Sequence, residues 1–240
     1  MPADSPELQI LLPIHNEGES IAATVREIYE AISPVARLEF LLCEDGSRDN
    51  TKEVLRGLAQ EFPVKLLLSN ERKGYSRAVR DGMMEMDAPF LVCLDSDGQC
   101  DPGDFREFWA NRNAADVLIG WRVRRADTLL RKIMSKTFRF IWKAFYRAPI
   151  HDPSCPFVLA RKEVVQAVAG KMGAMREGFW WEFSARVSRL GYSIREFPVN
   201  HRSRAAGVTQ VYHLRKLPDI GYRHFMALFR IFNETRIGSR

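Results

Sequence analysis

Asp95 and Asp97 stand one residue apart where the apolar run "FLVCL" (90–94) meets "DSDGQCDP". Two like charges this close repel, and both stay ionised only with a cation between them. All-oxygen donors suit Mg2+ or Mn2+, which keep several waters and bridge to substrate phosphates. The plainer reading is an acidic turn, since Ser-Asp-Gly is ordinary turn chemistry. Position favours the metal, because a carboxylate pair closing a buried strand must serve more than solubility.

Two other stretches have the same build. In "CEDGSRDNT" (43–51), Glu44 and Asp45 precede a Gly-Ser turn and a helix start. A carboxylate there can accept hydrogen bonds from a nucleobase or ribose, or it can simply cap a turn. In "PIHNEGE" (13–19), Pro13 ends a strand, Glu17 sits at a helix start, and Asn16 with Glu19 has the spacing of a capping box. Capping explains Asn16 but not His15.

Strands must stand behind these residues. Apolar runs at 8–14, 38–43, 64–69, 90–94 and 116–120 read as buried strands, with helical patterns between them. Strand alternating with helix implies a largely parallel sheet covered on both faces. Ligands of such sheets bind at the carboxyl ends of the strands, near the switch in strand order. Further on, 127–147 reads as a helix, 155–160 as a strand, "WWEFSARVSRLG" as a helix stopped by Gly191, and the chain from about His213 as a final amphipathic helix.

The composition sets bounds. A chain of 240 residues with 46% hydrophobic residues suits one sizeable domain with a proper core. The formal charge of +6 suggests an anionic partner. Cys43, Cys93, Cys100 and Cys155 are scattered without zinc or disulfide spacing and read as core thiols of a reducing compartment. The acidic, polar "MPADSPELQ" is no signal peptide, and no apolar run approaches the ~20 residues that span a bilayer, so a cytoplasmic location is expected.

Nucleic acid is not an expected partner, because the acidic strand ends would repel its phosphates and no recognised nucleic-acid motif appears. A dinucleotide-binding dehydrogenase is disfavoured by the lack of G-x-G-x-x-G after the first strand.

Taken together, "PIHNE", "EDGSRDNT" and "DSD" resemble, in order, the P-x-[YF]-N-E, D-D-G-S-x-D-x-T and D-x-D text of inverting family 2 glycosyltransferases with the GT-A fold. His15 replaces the usual aromatic and Glu44 the first aspartate. The resemblance narrows toward enzymes similar to dolichyl-phosphate mannose synthase and the bacterial polyprenyl-phosphate glycosyltransferases. "DSDGQCDP" carries that group's Gln and Pro at Gln99 and Pro102, "ERKGYSRAVRDG" its spaced Gly74, Ala78 and Gly82, and "GWR" its G-S-R. "HDPSCPFVLARKEV" and "NHRSRAAGVTQVY" are similar to two later segments, so that residues 8–212 are covered.

That resemblance implies a fold and a division of labour. The expected fold is α/β, a mainly parallel central sheet flanked by helices, with a catalytic domain over 1–212 and an amphipathic helical segment over 213–240. The donor would be a nucleotide-diphosphate sugar, with Pro13, His15, Glu17, Asp45 and Gly74 lining its pocket. Asp97 and Gln99 would hold Mg2+ or Mn2+ on the diphosphate, with Asp95 toward the metal's water or the sugar. The acceptor would be a polyprenyl (dolichyl or undecaprenyl) phosphate, a nucleophile already ionised and in no need of a base. Arg122, Arg202 and Arg204 are the arginines expected to receive its phosphate, since guanidinium matches phosphate geometry. Asp95, Asp97, Arg122 and Arg204 would then carry catalysis.

The alternative is a soluble family 2 enzyme acting on a saccharide hydroxyl, with Asp152 or Glu182 as base. The acceptor class is argued from "DTLLRKIMSKTFRFIWKAFYR". Leu130, Ile133, Met134, Phe138, Ile141, Trp142 and Phe145 share one helical face, and basic residues fill the rest. A basic amphipathic helix with Trp and Phe on its apolar side suits a membrane interface; a core helix with a charged outer side has the same period. The interfacial reading, docked on the inner face of the membrane, is the expectation taken forward. The C-terminal "YRHFMALFRIF" is a second candidate of this kind. Homo-oligomer formation is left open.

Overall fold

The computed structural model describes residues 5–123, 129–146, 148–175, 177–202 and 217–234, with the side chains of 129–135 and 217–218 excepted. Arg147, residues 203–216 with Arg204 among them, and the side chains of Leu130, Ile133 and Met134 lie outside the described residues.

The apolar runs form strands β1 (Leu8–Ile14), β2 (Leu38–Glu44), β3 (Val64–Leu68), β4 (Phe90–Cys93), β5 (Val117–Arg122), β6 (Val158–Arg161) and β7 (Ile194–Val199). They make one seven-stranded sheet in the order β3-β2-β1-β4-β6-β5-β7. β1 and β2 are buried along almost their whole length, as strands covered on both faces must be. β1 pairs in parallel with β2 on one side and β4 on the other, so the strand order reverses at β1. β6 alone runs antiparallel, between β4 and β5, and β7 pairs in parallel with β5. The mixed sheet therefore remains mainly parallel.

The helices are α1 (Ile21–Ile32), α2 (Thr51–Glu61), α3 (Tyr75–Met84), α4 (Phe105–Ala110), α5 (Leu129–Phe145), α6 (Lys162–Ala169), α7 (Phe179–Leu190) and α8 (Leu217–Asn233). α1 begins later than a cap at Asn16 would give, with Ser20 preceding its first turn. Asn16 has another task. In a left-handed conformation (φ 55°), its side-chain oxygen accepts the Arg48 N–H at 2.9 Å. That contact ties the end of β1 to the turn after β2, and the capping box is not formed.

The largest correction concerns α5. Trp142 is fully buried, and its indole N–H donates to the Trp181 carbonyl at 3.3 Å. Phe138 packs edge-on against Trp181, with centroids 4.8 Å apart, and Phe145 lies among Phe225, Phe229 and Phe232 of α8. The described part of the apolar face expected to meet lipid thus belongs to the core. The physical reason is α8, which covers this face and inserts Leu228 and Ile231 completely. An apolar stripe has the same period whether lipid or protein covers it. Among the described residues, no helix is long and apolar enough to cross a membrane.

Candidate active site at the strand ends

The ends of β1, β2 and β4 converge at the reversal of strand order. Ser96 links two of them, donating from its hydroxyl to the Pro13 carbonyl at 2.7 Å. Asp95 and Asp97 flank this buried serine, both half-buried. An Asp97 oxygen accepts the Gln99 N–H at 3.1 Å, closing a turn through Gly98 at φ 71°. Gln99 and Arg202 then exchange backbone contact: Arg202 N donates to the Gln99 carbonyl at 2.9 Å, and the Gln99 amide nitrogen approaches the Arg202 carbonyl at 3.4 Å. The amide nitrogen of Gln99 is the committed atom, and its carbonyl oxygen is the one a cation would use.

Among the described residues, no three His, Cys, Asp or Glu side chains converge as a ready-made metal cage. Two carboxylates and an amide oxygen nevertheless fit Mg2+ or Mn2+, ions that fill their remaining positions with water and substrate phosphate. Burial raises the Cys93 and Cys100 thiols well above the usual range and the Cys155 thiol to about 12, so these groups stay neutral in the core. All four cysteines are free, in agreement with the core-thiol reading.

The second wall is built by the two carboxylates closing β2. Glu44 is wholly buried and accepts the N–H of Ser47 and, at 3.2 Å, of Ser69, with the Lys52 amine at 3.6 Å. Its extra methylene relative to aspartate lets it span from β2 to the end of β3. Asp45 accepts the Lys73 N–H at 2.6 Å and the Gly74 N–H at 2.8 Å. Gly46, at φ 63°, lies under the backbone of Glu71 and Arg72, where a Cβ would collide. His15 Nδ1 donates to the Asp45 carbonyl at 2.8 Å, which fixes its tautomer with hydrogen on Nδ1. Hydrogen bonds thus link His15, Asp45 and Gly74, and Pro13, two residues before His15, holds Ser96 through its carbonyl. The Glu17 N–H donates to Thr51 at the start of α2, at 2.9 Å. The Asp45 carboxylate is used to hold the 73–74 backbone.

Of the three arginines expected to receive the acceptor phosphate, the two described ones, Arg122 and Arg202, each have carboxylate partners. Arg122 grips Asp152 with two bonds, Nε to Oδ2 at 2.7 Å and Nη2 to Oδ1 at 3.0 Å, and reaches Ser154 at 2.8 Å. Burial disfavours its charge, but the Asp152 hydrogen bonds and charge outweigh this and push the guanidinium above its ordinary range. Arg202 is bound to Glu27 at 2.5 Å and to Asp101 at 2.9 Å, and clamps α1 to the segment after Asp97. Both guanidinium groups are thus satisfied by carboxylates. Of the two bases considered for a hydroxyl acceptor, Glu182 is wholly buried. It accepts Gly173 and Met175 N–H groups and pairs with Arg186 at 2.8 Å, so its carboxylate braces the loop before α7.

Residues 9–169 match the family model described as glycosyl transferase family 2. The chain belongs to that family. It is 29% identical over 217 residues to the dodecaprenyl-phosphate galacturonate synthase of Rhizobium johnstonii, covering 87% of this chain and 63% of that protein. It is 28% identical over 170 residues to the dolichol-phosphate mannosyltransferase of Pyrococcus furiosus, covering 68% of this chain and 48% of that protein. The chain therefore spans roughly half to two thirds of these relatives.

Two solved structures share the fold. A mannosyltransferase from Pyrobaculum calidifontis, in complex with GDP-Man and Mn2+, superposes with a TM-score of 0.61 at 17% identity, over 82% of this chain and 56% of that one. The glucosyl-3-phosphoglycerate synthase of Mycobacterium tuberculosis, in complex with Mn2+, UDP-Glc and phosphoglyceric acid, gives 0.65 at 15% identity, over 95% and 80%. The glycosyl transferase family 2 chain described here has the GT-A fold those likenesses define.

Sequence reading missed one contact of this family 2 site. Tyr75, the first residue of α3, donates from its hydroxyl to Asp95 Oδ1 at 2.9 Å, and Trp180 of α7 donates its indole N–H to the same hydroxyl at 2.8 Å. The only signal was positional: Tyr75 follows Gly74 and Trp180 lies two residues beyond Gly178, each in the first turn of a helix.

Proposed function

We propose that this chain transfers a sugar, with inversion, from a nucleotide-diphosphate sugar to the phosphate of a polyprenyl phosphate at a membrane surface. The observation that carries the reading is the gathering of Asp95, Asp97 and Gln99 beside the His15–Asp45–Gly74 pocket, at the reversal of strand order. A bound divalent cation would supply charge neutralisation of the leaving diphosphate. The chain's own residues do the positioning: Asp97 and Gln99 face the diphosphate side, Asp95 the sugar side, and the Asp45-held 73–74 backbone walls the nucleoside. The polyprenyl-phosphate acceptor is supported by the names of the relatives and by Glu182, whose carboxylate is consumed by structure rather than left for proton abstraction. A thermal-shift panel of nucleotide sugars tests donor binding. A cognate donor at 100 times its Kd with Mn2+ should stabilise the fold by about 2.7 kcal/mol, and a donor that stabilises equally without divalent ions would contradict the metal.

Membrane docking, as we propose it, moves from the expected face of α5 to the outer face of α8. Tyr222 and Met226 are exposed there one turn apart, on the helix next to α5 with its largely bare Phe140 (78% exposed), and Phe225, Phe229 and Phe232 keep exposed surface while packing on Phe145. Lys136, Lys143, Arg223 and Arg230 are exposed on the same two helices. Aromatic groups at the interface and basic residues toward anionic headgroups, at about 1 kcal/mol each, would hold the chain at the surface where its acceptor lies. Changing Phe140 and Met226 together to Ser should cut co-sedimentation with anionic liposomes roughly 10-fold or more, given the transfer energy of large apolar side chains. Activity on a short, water-soluble polyprenyl phosphate should be spared. Unchanged liposome binding would place the docking surface elsewhere.

A further inference from the structure

Tyr75 stands at an unspecified position of "ERKGYSRAVRDG", between its spaced Gly74 and Ala78, yet it touches one of the two aspartates around which the site is built. The direction of its hydrogen bonds is fixed by chemistry. An indole N–H can only donate, so the Tyr75 oxygen accepts from Trp180. A carboxylate can only accept while ionised, so the Tyr75 proton goes to Asp95 Oδ1. The two bonds run in series, indole to phenol to carboxylate, and each polarises the next. Three elements meet in them: the end of β4, the start of α3 and the start of α7.

The relay is held from both ends. Trp180 is buried and packs edge-on against Phe179 and Phe183, with centroids at 5.1 and 5.7 Å. The Tyr75 ring meets Phe179 edge-on at 6.4 Å, and its helix starts from Gly74, whose N–H is gripped by Asp45. The ring itself is 41% exposed, so the phenol is not there to fill the core. Its hydroxyl is the part with a defined task.

We infer that Tyr75, oriented by Trp180, is a positioning residue that sets the Asp95 carboxylate for the divalent cation and the donor sugar. The inference rests on the metal-dependent reading above and assigns that site a residue that its motifs leave unspecified. Partners of this kind, one step behind the groups that face a metal, commonly change metal affinity by 10- to 100-fold when removed.

The test titrates Mn2+ alone, and Mn2+ with GDP or UDP, into the full chain and follows free Mn2+ by electron paramagnetic resonance. Tyr75→Phe should weaken Mn2+ binding about 10-fold with the fold retained, the melting temperature falling by only the cost of the unpaired Trp180 N–H. Trp180→Phe, which keeps the phenol but frees its orientation, should show a smaller loss. Asp97→Asn is the reference, since it reports on the metal site itself. If Asp97→Asn loses Mn2+ while Tyr75→Phe binds it as tightly as the wild type, the relay is overturned and the metal reading stands. If both variants bind Mn2+ like the wild type, or the wild type binds none, the metal reading falls and the inference falls with it. Should Tyr75→Phe lose its fold, Trp180→Phe decides: weakened Mn2+ binding upholds the relay, and unchanged binding overturns it.

Discussion

Asp97→Asn is expected to abolish divalent-dependent nucleotide binding and to lower sugar transfer by roughly 100-fold or more. Charge stabilisation by a metal in such a site amounts to several kcal/mol, and each 1.36 kcal/mol is tenfold in rate. Asparagine keeps the shape of the side chain and the oxygen that accepts the Gln99 N–H, so the turn through Gly98 should survive. Only the negative charge is removed. Isothermal titration with nucleoside diphosphate, with and without Mn2+, checks binding, and a melting curve checks the fold. Normal transfer by this variant in Mn2+ would show that the diphosphate is neutralised by other groups.

The second large effect concerns Arg122. Removing one partner of a buried ion pair leaves the other charge uncompensated and costs about 3–5 kcal/mol. Arg122 and Asp152 have side-chain exposures of 12% and 6% and share two hydrogen bonds, so they qualify. Arg122→Ala should lower the melting temperature by roughly 6–20 °C, taking 2–4 °C per kcal/mol for a chain of this size. Replacing both residues by Leu should cost less than the sum of the single changes, because no lone charge remains. A melting temperature unchanged in Arg122→Ala would mean that the pair is dispensable to the fold. The guanidinium would then be available for the acceptor phosphate, as its place in "GWR" suggested.

The strand ends were legible because each is local. A run of apolar residues followed by carboxylates and glycine states in one short stretch that a buried strand stops and a polar turn begins. The positions of Pro13, His15, Asp45, Asp95 and Asp97 came from such stretches, and the sheet brings them together at the reversal of strand order. The antiparallel β6 between β4 and β5 was not legible, since three apolar residues and an arginine carry no sign of strand direction.

What each charge would pair with was also hidden. Arg202 finds Glu27, far back along the chain, and Asp101, and nothing in "NHRSR" announces either. Trp142 shows the same limit for apolar residues. Its helical stripe fitted a membrane surface, and the arrival of α7, whose Trp181 carbonyl takes the Trp142 N–H, and of α8, which packs on Phe145, made the stripe core. The lipid-facing character we propose passes to the outer side of the covering helix. Tyr75 and Trp180 lie too far apart in sequence for their hydrogen bond to be read before the fold is known.

The central claim is that the nucleophile is a phosphate. The most direct measurement supplies the chain with Mn2+ and a panel of radiolabelled nucleotide sugars, and compares undecaprenyl phosphate with undecaprenol of the same length. The expected result is a labelled lipid formed only from the phosphate, with mild-acid-labile sugar released from it and no label on the alcohol. Label transferred to undecaprenol, or to a free saccharide hydroxyl while the lipid phosphate stays unlabelled, would contradict the account.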